Sequence, residues 1–164
     1  MADIIQDPHA TLRAQAEVVP QDQITSKEIQ AIIASMKKSL NTQDDGVAIA
    51  APQIDVSLRI FVVSKKALVD AKDDVAFINP EIVRLGKKKE YMSEGCLSVR
   101  WKYGLVKRAT SATVRAYNEQ GNEFVMSGKG LLAQIFQHEI DHLNGSLFID
   151  NAINIEELPP EKAQ

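Results

Sequence analysis

The stretch Gln137 to Gly145 reads QHEIDHLNG, with two histidines four residues apart and a glutamate directly after the first. On a helix successive residues turn by about 100°, so His138 and His142 differ by only about 40° around the axis and can offer imidazole nitrogens to one ion. This is the H-E-x-x-H metal pattern. Glu139 then stands beside the ion without being one of its histidine ligands, where it can take a proton from a metal-bound water. The chemistry suggested is metal-assisted hydrolysis. Histidine and glutamate are common on helices, so the pattern also arises without a metal. The flanking residues Leu131, Leu132, Ile135, Phe136, Ile140 and Leu143 make this helix apolar nearly all round, as a helix buried at the centre of a domain is. Two histidines and a glutamate in such surroundings need compensation, and a divalent cation would satisfy all three.

A third ligand is available in Glu94 to Ser98, which reads EGCLS. Cys96 is the single cysteine of the chain, which excludes an internal disulfide. A lone cysteine is ordinarily a small buried hydrophobe, but this one has polar and glycine neighbours. With the two histidines it would make a Cys-His-His site, a set that suits zinc or ferrous iron in tetrahedral geometry with the fourth position open for water. Gly46 to Gln53, GVAIAAPQ, adds a run of small apolar residues closed by an amide. Such a run permits close backbone approach, and a strand packed tightly on a helix explains it equally well.

The elements that must position these residues are readable in outline. Asp7 and Pro8 read as an N-cap and first helical position for a short turn through His9 to Ala16, with His9 on the surface. Thr25 with Glu28 forms a capping box, and Ile29, Ile32, Ile33, Met36 and Leu40 recur at helical spacing. Arg59 to Ser64 predicts a buried strand, and Ala76 to Leu85 another, broken at Pro80. Lys66 to Asp74 is a surface excursion. Thr110 to Tyr117 and Glu123 to Met126 flank the turn Asn118 to Asn122 and predict a β-hairpin. Ser127 is the expected cap of the metal helix and Gly145 its left-handed stop after Asn144. Beyond Phe148, two prolines in EELPPEKAQ predict an extended or frayed tail over about 156–164. Strands preceding a late central helix indicate an α+β fold of mixed or antiparallel strands, in a single domain over residues 1–164.

Size and charge narrow the function classes. The chain has 164 residues, of which 45% are hydrophobic and 25% charged, enough for a real core. Its 19 basic and 22 acidic residues give a net charge of −3 and are mixed along the chain, so no basic stripe points to nucleic acid. Lys87, Lys88 and Lys89 read as a solvated loop or edge-strand guard. The opening MADIIQDPHA has neither a signal peptide's charge pattern nor a membrane span, and the expected location is the cytoplasm.

GVAIAAPQ, EGCLS and QHEIDHLNG occur in the order and approximate spacing that characterise the peptide deformylases, and the resemblance covers nearly the whole chain. The opening DPHATLRAQAEVV also resembles the family's beginning. The resemblance implies a metallohydrolase that removes the formyl group from the N-terminal formyl-methionine of newly made proteins and releases formate. It implies that Cys96, His138 and His142 hold the metal, that Glu139 is the general base, and that the Gln53 amide and the Leu97 backbone N–H stabilise the oxyanion, each typically worth on the order of 3 kcal/mol. It further implies a substrate groove of Gly46, Val47, Ala48, Glu94, Leu131 and Gln134. There the peptide lies as an added strand along Gly46 to Ala48, and its first side chain enters a pocket near Leu131, Gln134 and Ile135. The implied cofactor is one divalent ion, commonly ferrous iron in this family, with Zn2+, Ni2+ and Co2+ tolerated by the same ligands. The implied partners are formyl-methionyl nascent peptides. EELPPEKAQ does not read as a long basic C-terminal helix, so at most a transient ribosome contact is expected.

Two positions depart from the commonest family pattern. Ala48 stands where the first motif usually has glycine, and its Cβ would resist positive φ and close backbone approach. Arg100 stands where proline usually follows EGCLS. With Trp101, Lys102 and Tyr103 it either lines an entrance favouring acidic groups or lies in a solvated loop. Two alternatives stay open: a catalytically weak relative that binds peptides through the same groove, and a peptidase in which Cys96 is merely structural. Gln53 and Glu139, both present, argue against the first, since a binding module needs neither a base nor an oxyanion donor.

Overall fold

Strands made of unbroken apolar residues must be covered on both faces, and β1 (Ala48–Ala50) and β2 (Ile60–Val63) are such strands. The computed structural model describes residues 1–160. In it, β1 and β2 join β3 (Val75–Leu85), β6 (Ser111–Tyr117) and β7 (Glu123–Lys129) in an antiparallel sheet of order β1-β2-β3-β6-β7. Side chains alternate across it. Ala48, Ala50, Phe61, Val63 and Phe77 face one core with Ala133, Phe136, Ile140 and Leu143 of helix α2 (Leu131–Leu143). Ile49, Ile60, Val62, Ala76 and Ile78 face the other with Ile29, Ile33, Met36 and Leu40 of helix α1 (Lys27–Asn41). The Phe61 and Phe77 rings stack at 4.6 Å, and Phe136 of α2 meets Phe77 edge-on at 5.4 Å.

A second antiparallel sheet, of order β4-β5-β8, comprises β4 (Lys89–Gly95), β5 (Lys102–Ala109) and β8 (Ile153–Glu157). Val106 of β5 packs with Leu12, Val99, Leu147 and Phe148. Helix α2 contacts β1, β6 and β7 of the first sheet and β5 of the second. This is the α+β arrangement anticipated, with antiparallel strands around a central C-terminal helix.

Several local expectations are corrected. The cap of α1 is Ser26, one residue after Thr25; its Oγ accepts from the Ile29 N–H at 3.3 Å. The N-terminal turn is a 3₁₀ segment, Ala10–Arg13, capped by His9 in place of Asp7. Strand β3 continues through Pro80. Its register shifts between Ile78 and Glu81, Asn79 takes φ 52°, and the Asn79 amide bonds both backbone groups of Val19 at 2.8 Å. The bulge thereby absorbs the N–H that proline lacks. Ser127 lies on β7 and shares a hydrogen bond with Thr113 Oγ at 2.8 Å, while α2 starts after Gly130 with no side-chain cap. The segment expected as a tail from residue 156 begins inside β8, where Glu156 and Glu157 pair with Tyr103 and Lys102. Residues 161–164 of that tail lie outside the described residues.

Gly145 is the stop expected for α2. It has φ 77°, and a Cβ built there would sit 2.5 Å from the Arg13 carbonyl oxygen, so only glycine fits. Arg59 Nη1 donates to the Leu143 carbonyl at 2.9 Å and satisfies the end of the same helix.

Candidate active site and metal centre

Helix α2 and the turn after β4 bring Cys96, His138 and His142 together, with one donor atom of each within 4.8 Å of the others. Cys96 Sγ is 3.2 Å from His142 Nε2, and the two imidazole centroids are 4.9 Å apart. His142 is fully buried and burial holds its pKa well below the usual imidazole value, with neighbouring His138 acting in the same direction. A neutral imidazole is the form that binds a metal. Two buried atoms, Glu139 Oε2 and His142 Nδ1, find no hydrogen-bond partner among the described residues. Burial pushes Glu139 up to about 7, a value suited to exchanging protons near neutrality.

The orientation of His138 is fixed from behind. Its Nδ1 donates to Glu94 Oε1 at 2.5 Å, which leaves Nε2 with the lone pair for an ion. Glu94 in turn accepts from Arg108 Nη2 at 2.6 Å and Nε at 3.0 Å, a bidentate pair, while Arg108 Nη1 donates to Asp141 Oδ2 at 2.7 Å. Burial alone would raise the Glu94 pKa, but the hydrogen bonds from His138 and Arg108 outweigh it and hold the carboxyl at about 2. Burial likewise resists charging His138, yet the Cys96 sulfur and the Glu94 carboxylate raise its pKa well above the usual value. Arg108 and Asp141 were not legible in the sequence, because the Glu94–Arg108 pair forms only when β4 folds back on β5.

Gln53 is buried in the 3₁₀ segment Ala51–Ile54 that follows β1. Its Oε1 accepts from the Ala50 N–H at 2.9 Å, and its Nε2 donates to Ser98 Oγ at 3.1 Å and lies 3.6 Å from Cys96 Sγ. The Leu97 N–H makes no hydrogen bond within the described residues, while the Leu97 carbonyl accepts from Gln6 Nε2 at 2.8 Å. A groove of about 410 Å³ runs past these groups, lined on one side by Gly46, Val47 and Ala48 and on the other by residues of α2 including Leu131, Gln134 and Ile135. Leu131 is exposed at its mouth and Ile135 is buried. Gln134 Nε2 is committed to the Ser93 carbonyl at 2.8 Å and to Glu94. Glu94 borders the groove, and both its carboxylate oxygens are engaged, one by Arg108 and His138 and the other by Arg108 and Gln134.

Comparison with known proteins agrees with this geometry. The family model for polypeptide deformylase matches residues 1–157. The chain belongs to the peptide deformylase family. It is 43% identical over 153 residues to the peptide deformylase of Halothermothrix orenii, covering 93% of each chain. It is 40% identical over 152 residues to that of Desulforudis audaxviator, covering 93% of this chain and 94% of the relative. Among solved structures, the peptide deformylase of Legionella pneumophila superposes with a TM-score of 0.85 at 38% identity, over 94% of this chain and 87% of that one. The Synechococcus elongatus peptide deformylase in complex with actinonin gives a TM-score of 0.83 at 31% identity, over 93% and 79%.

Peptide deformylases are metal-dependent enzymes that remove the N-formyl group from nascent peptides, and this chain is an enzyme of that family. The donor set of this deformylase fits a divalent ion: a sulfur and two imidazoles converge, and the residue after His138 carries a buried carboxylate oxygen without a partner among the described residues. Of the two departures from the family pattern, Ala48 carries no backbone penalty. It lies in extended β1, is not among the positive-φ residues, and its side chain joins the core around Phe61. Arg100 is no solvated loop residue. It is half-buried, and its guanidinium reaches across to Asp45 and Gln43. No helix among the described residues is long and apolar enough to cross a membrane.

Proposed function

We propose that this deformylase works on formyl-methionyl peptides in the cytoplasm, as a single domain over residues 1–164, with Cys96, His138 and His142 holding one ion, ferrous iron in the cell. Zinc, nickel or cobalt would substitute in the same donor set. The observation that carries the reading is the buried Glu139 Oε2, which has no partner among the described residues, on the residue next to His138 of the three convergent metal donors. When bound, the ion would polarise the formyl carbonyl and acidify the attacking water. Glu139 takes that water's proton on its carboxylate and returns it to the amine nitrogen of the departing peptide. Gln53 Nε2 and the Leu97 N–H donate to the formyl oxygen as it becomes negative. The Gln53 amide is held for this by its Oε1 bond to Ala50.

The peptide pairs along Gly46 and Val47, which lead into β1, and Ala48 at its start, on the edge where the sheet has no neighbouring strand among the described residues. Its first side chain enters beside Leu131, Gln134 and Ile135. Glu94 contributes by orienting His138. Contact with the ribosome is no more than transient. The test is formate release from a formyl-Met peptide by anaerobically purified, iron-loaded protein. Turnover by the wild type, lost in Glu139→Ala with metal content retained, is expected; no turnover from the fully metallated wild type would overturn the reading.

A further inference from the structure

The mouth of the groove carries an unusual charge arrangement. Arg100 Nη1 donates to Asp45 Oδ2 at 2.9 Å and Nη2 to Gln43 Oε1 at 2.7 Å, while the guanidinium carbon lies 4.4 Å from the centroid of the Trp101 ring. The Arg100 side chain is 19% exposed and its partner Asp45 57%. Lys102, which also lines the groove, has no ion-pair partner among the described residues. At this end Arg100 is paired only with the exposed Asp45, Lys102 lies opposite Glu157 across the second sheet without an ion pair to it, and Glu94 deeper in the groove is already neutralised by Arg108. An ion pair with so exposed a carboxylate is weak and exchangeable. The guanidinium is nevertheless kept in place by Gln43 and Trp101 independently of Asp45, and a fixed guanidinium fork matches a carboxylate in bidentate fashion.

We infer that Arg100, assisted by Lys102, receives an acidic side chain at the second or third residue of the formylated peptide, whose carboxylate takes the place of Asp45. The inference rests on the groove reading proposed above. A peptide added along β1 runs from the catalytic end, marked by Gln53, back past Ala48 and Gly46 toward Asp45, advancing about 3.4 Å per residue. Residues following the formylated one therefore come level with Arg100. Alternation of side chains along an added strand turns one of the two positions toward it.

The experiment compares kcat/KM for formyl-Met-Glu-Ala-amide against formyl-Met-Lys-Ala-amide, and for formyl-Met-Ala-Glu-amide against formyl-Met-Ala-Lys-amide, at low and high salt. The terminal amides remove the competing carboxylate. One pair is expected to favour glutamate by about fivefold at low salt, less at high salt, in keeping with a partly exposed ion pair. Arg100→Gln should bring that ratio close to one, and Asp45→Asn, which leaves the guanidinium unopposed, should raise it. Ratios near one at both positions in the wild type, or a ratio unchanged by Arg100→Gln, would overturn the inference. Should the wild type turn over none of these peptides, the catalytic reading fails separately. Calorimetric binding of the unformylated peptides to the metal-loaded protein then reads the same glutamate-to-lysine ratio, with the same two outcomes.

Discussion

In the reading proposed above, Glu94 acts through its neighbours and not on the substrate. It joins Arg108 of β5 to His138 of α2 and would fix which imidazole nitrogen faces an ion. Glu94→Gln is expected to weaken metal affinity by about 10- to 100-fold, measured by competition with a chelator, while leaving Cys96, His138 and His142 in place. The same carboxyl has a pKa of about 2 against an ordinary 4.5, so its contribution to stability is complete above pH 4.5 and is lost as the pH falls toward 2. That contribution is on the order of 3 kcal/mol. Denaturant titrations at neutral and acidic pH should therefore show a drop that is flattened in Glu94→Gln. Cys96→Ala should abolish bound metal; retention of the metal would favour a peptidase with a structural cysteine. Glu139→Ala should keep the metal and lower kcat by about a thousandfold.

At the scale of elements, the metal helix was legible because its apolar surroundings and its i, i+4 histidines are both local. Its C-terminal stop was legible for the same reason, since Gly145 announces a left-handed residue. Gly145→Ala is expected to cost about 3 kcal/mol in equilibrium unfolding, through positive φ combined with collision against the Arg13 carbonyl. The start of the helix was misread. Ser127 has the composition of a cap, but β7 claims it through cross-strand pairing with Thr113, and α2 begins at a glycine in its place. The β4–β5 hairpin was missed because it carries Glu, Lys, Ser and Gly at positions where alternation would normally reveal a strand. Its turn opens with Cys96 and Leu97 and contains neither glycine nor proline. Arg108 was lost with it.

For the molecule as a whole, two cores share one sheet, and an ion held by Cys96, His138 and His142 would add an attachment between α2 and the turn after β4. Removal of the metal by a chelator should lower Tm, and reloading should restore it. A ligand present at one hundred times its Kd stabilises by about 2.7 kcal/mol. An unchanged Tm in protein shown to have lost its metal would mean that packing alone holds the Cys96 turn to α2. The α+β class was readable because strand-like runs precede one apolar helix. The division into two sheets was not, since it depends on β8 reaching back to β5 from a segment whose prolines suggested a loose end.

The outer edge of β1 is also a solubility problem, and its dimensions contain the solution. An unpaired strand edge invites the edges of other copies, and long flat edges seed aggregates. Here the unpaired edge belongs to a strand of three buried residues, Ala48–Ala50, and Pro52, which has no N–H to offer, stands two residues beyond its end. So short a ladder can hold one extended segment in passing but is too short to nucleate a growing intermolecular sheet. The chain should accordingly stay monodisperse at concentrations where a longer open edge would begin to self-associate.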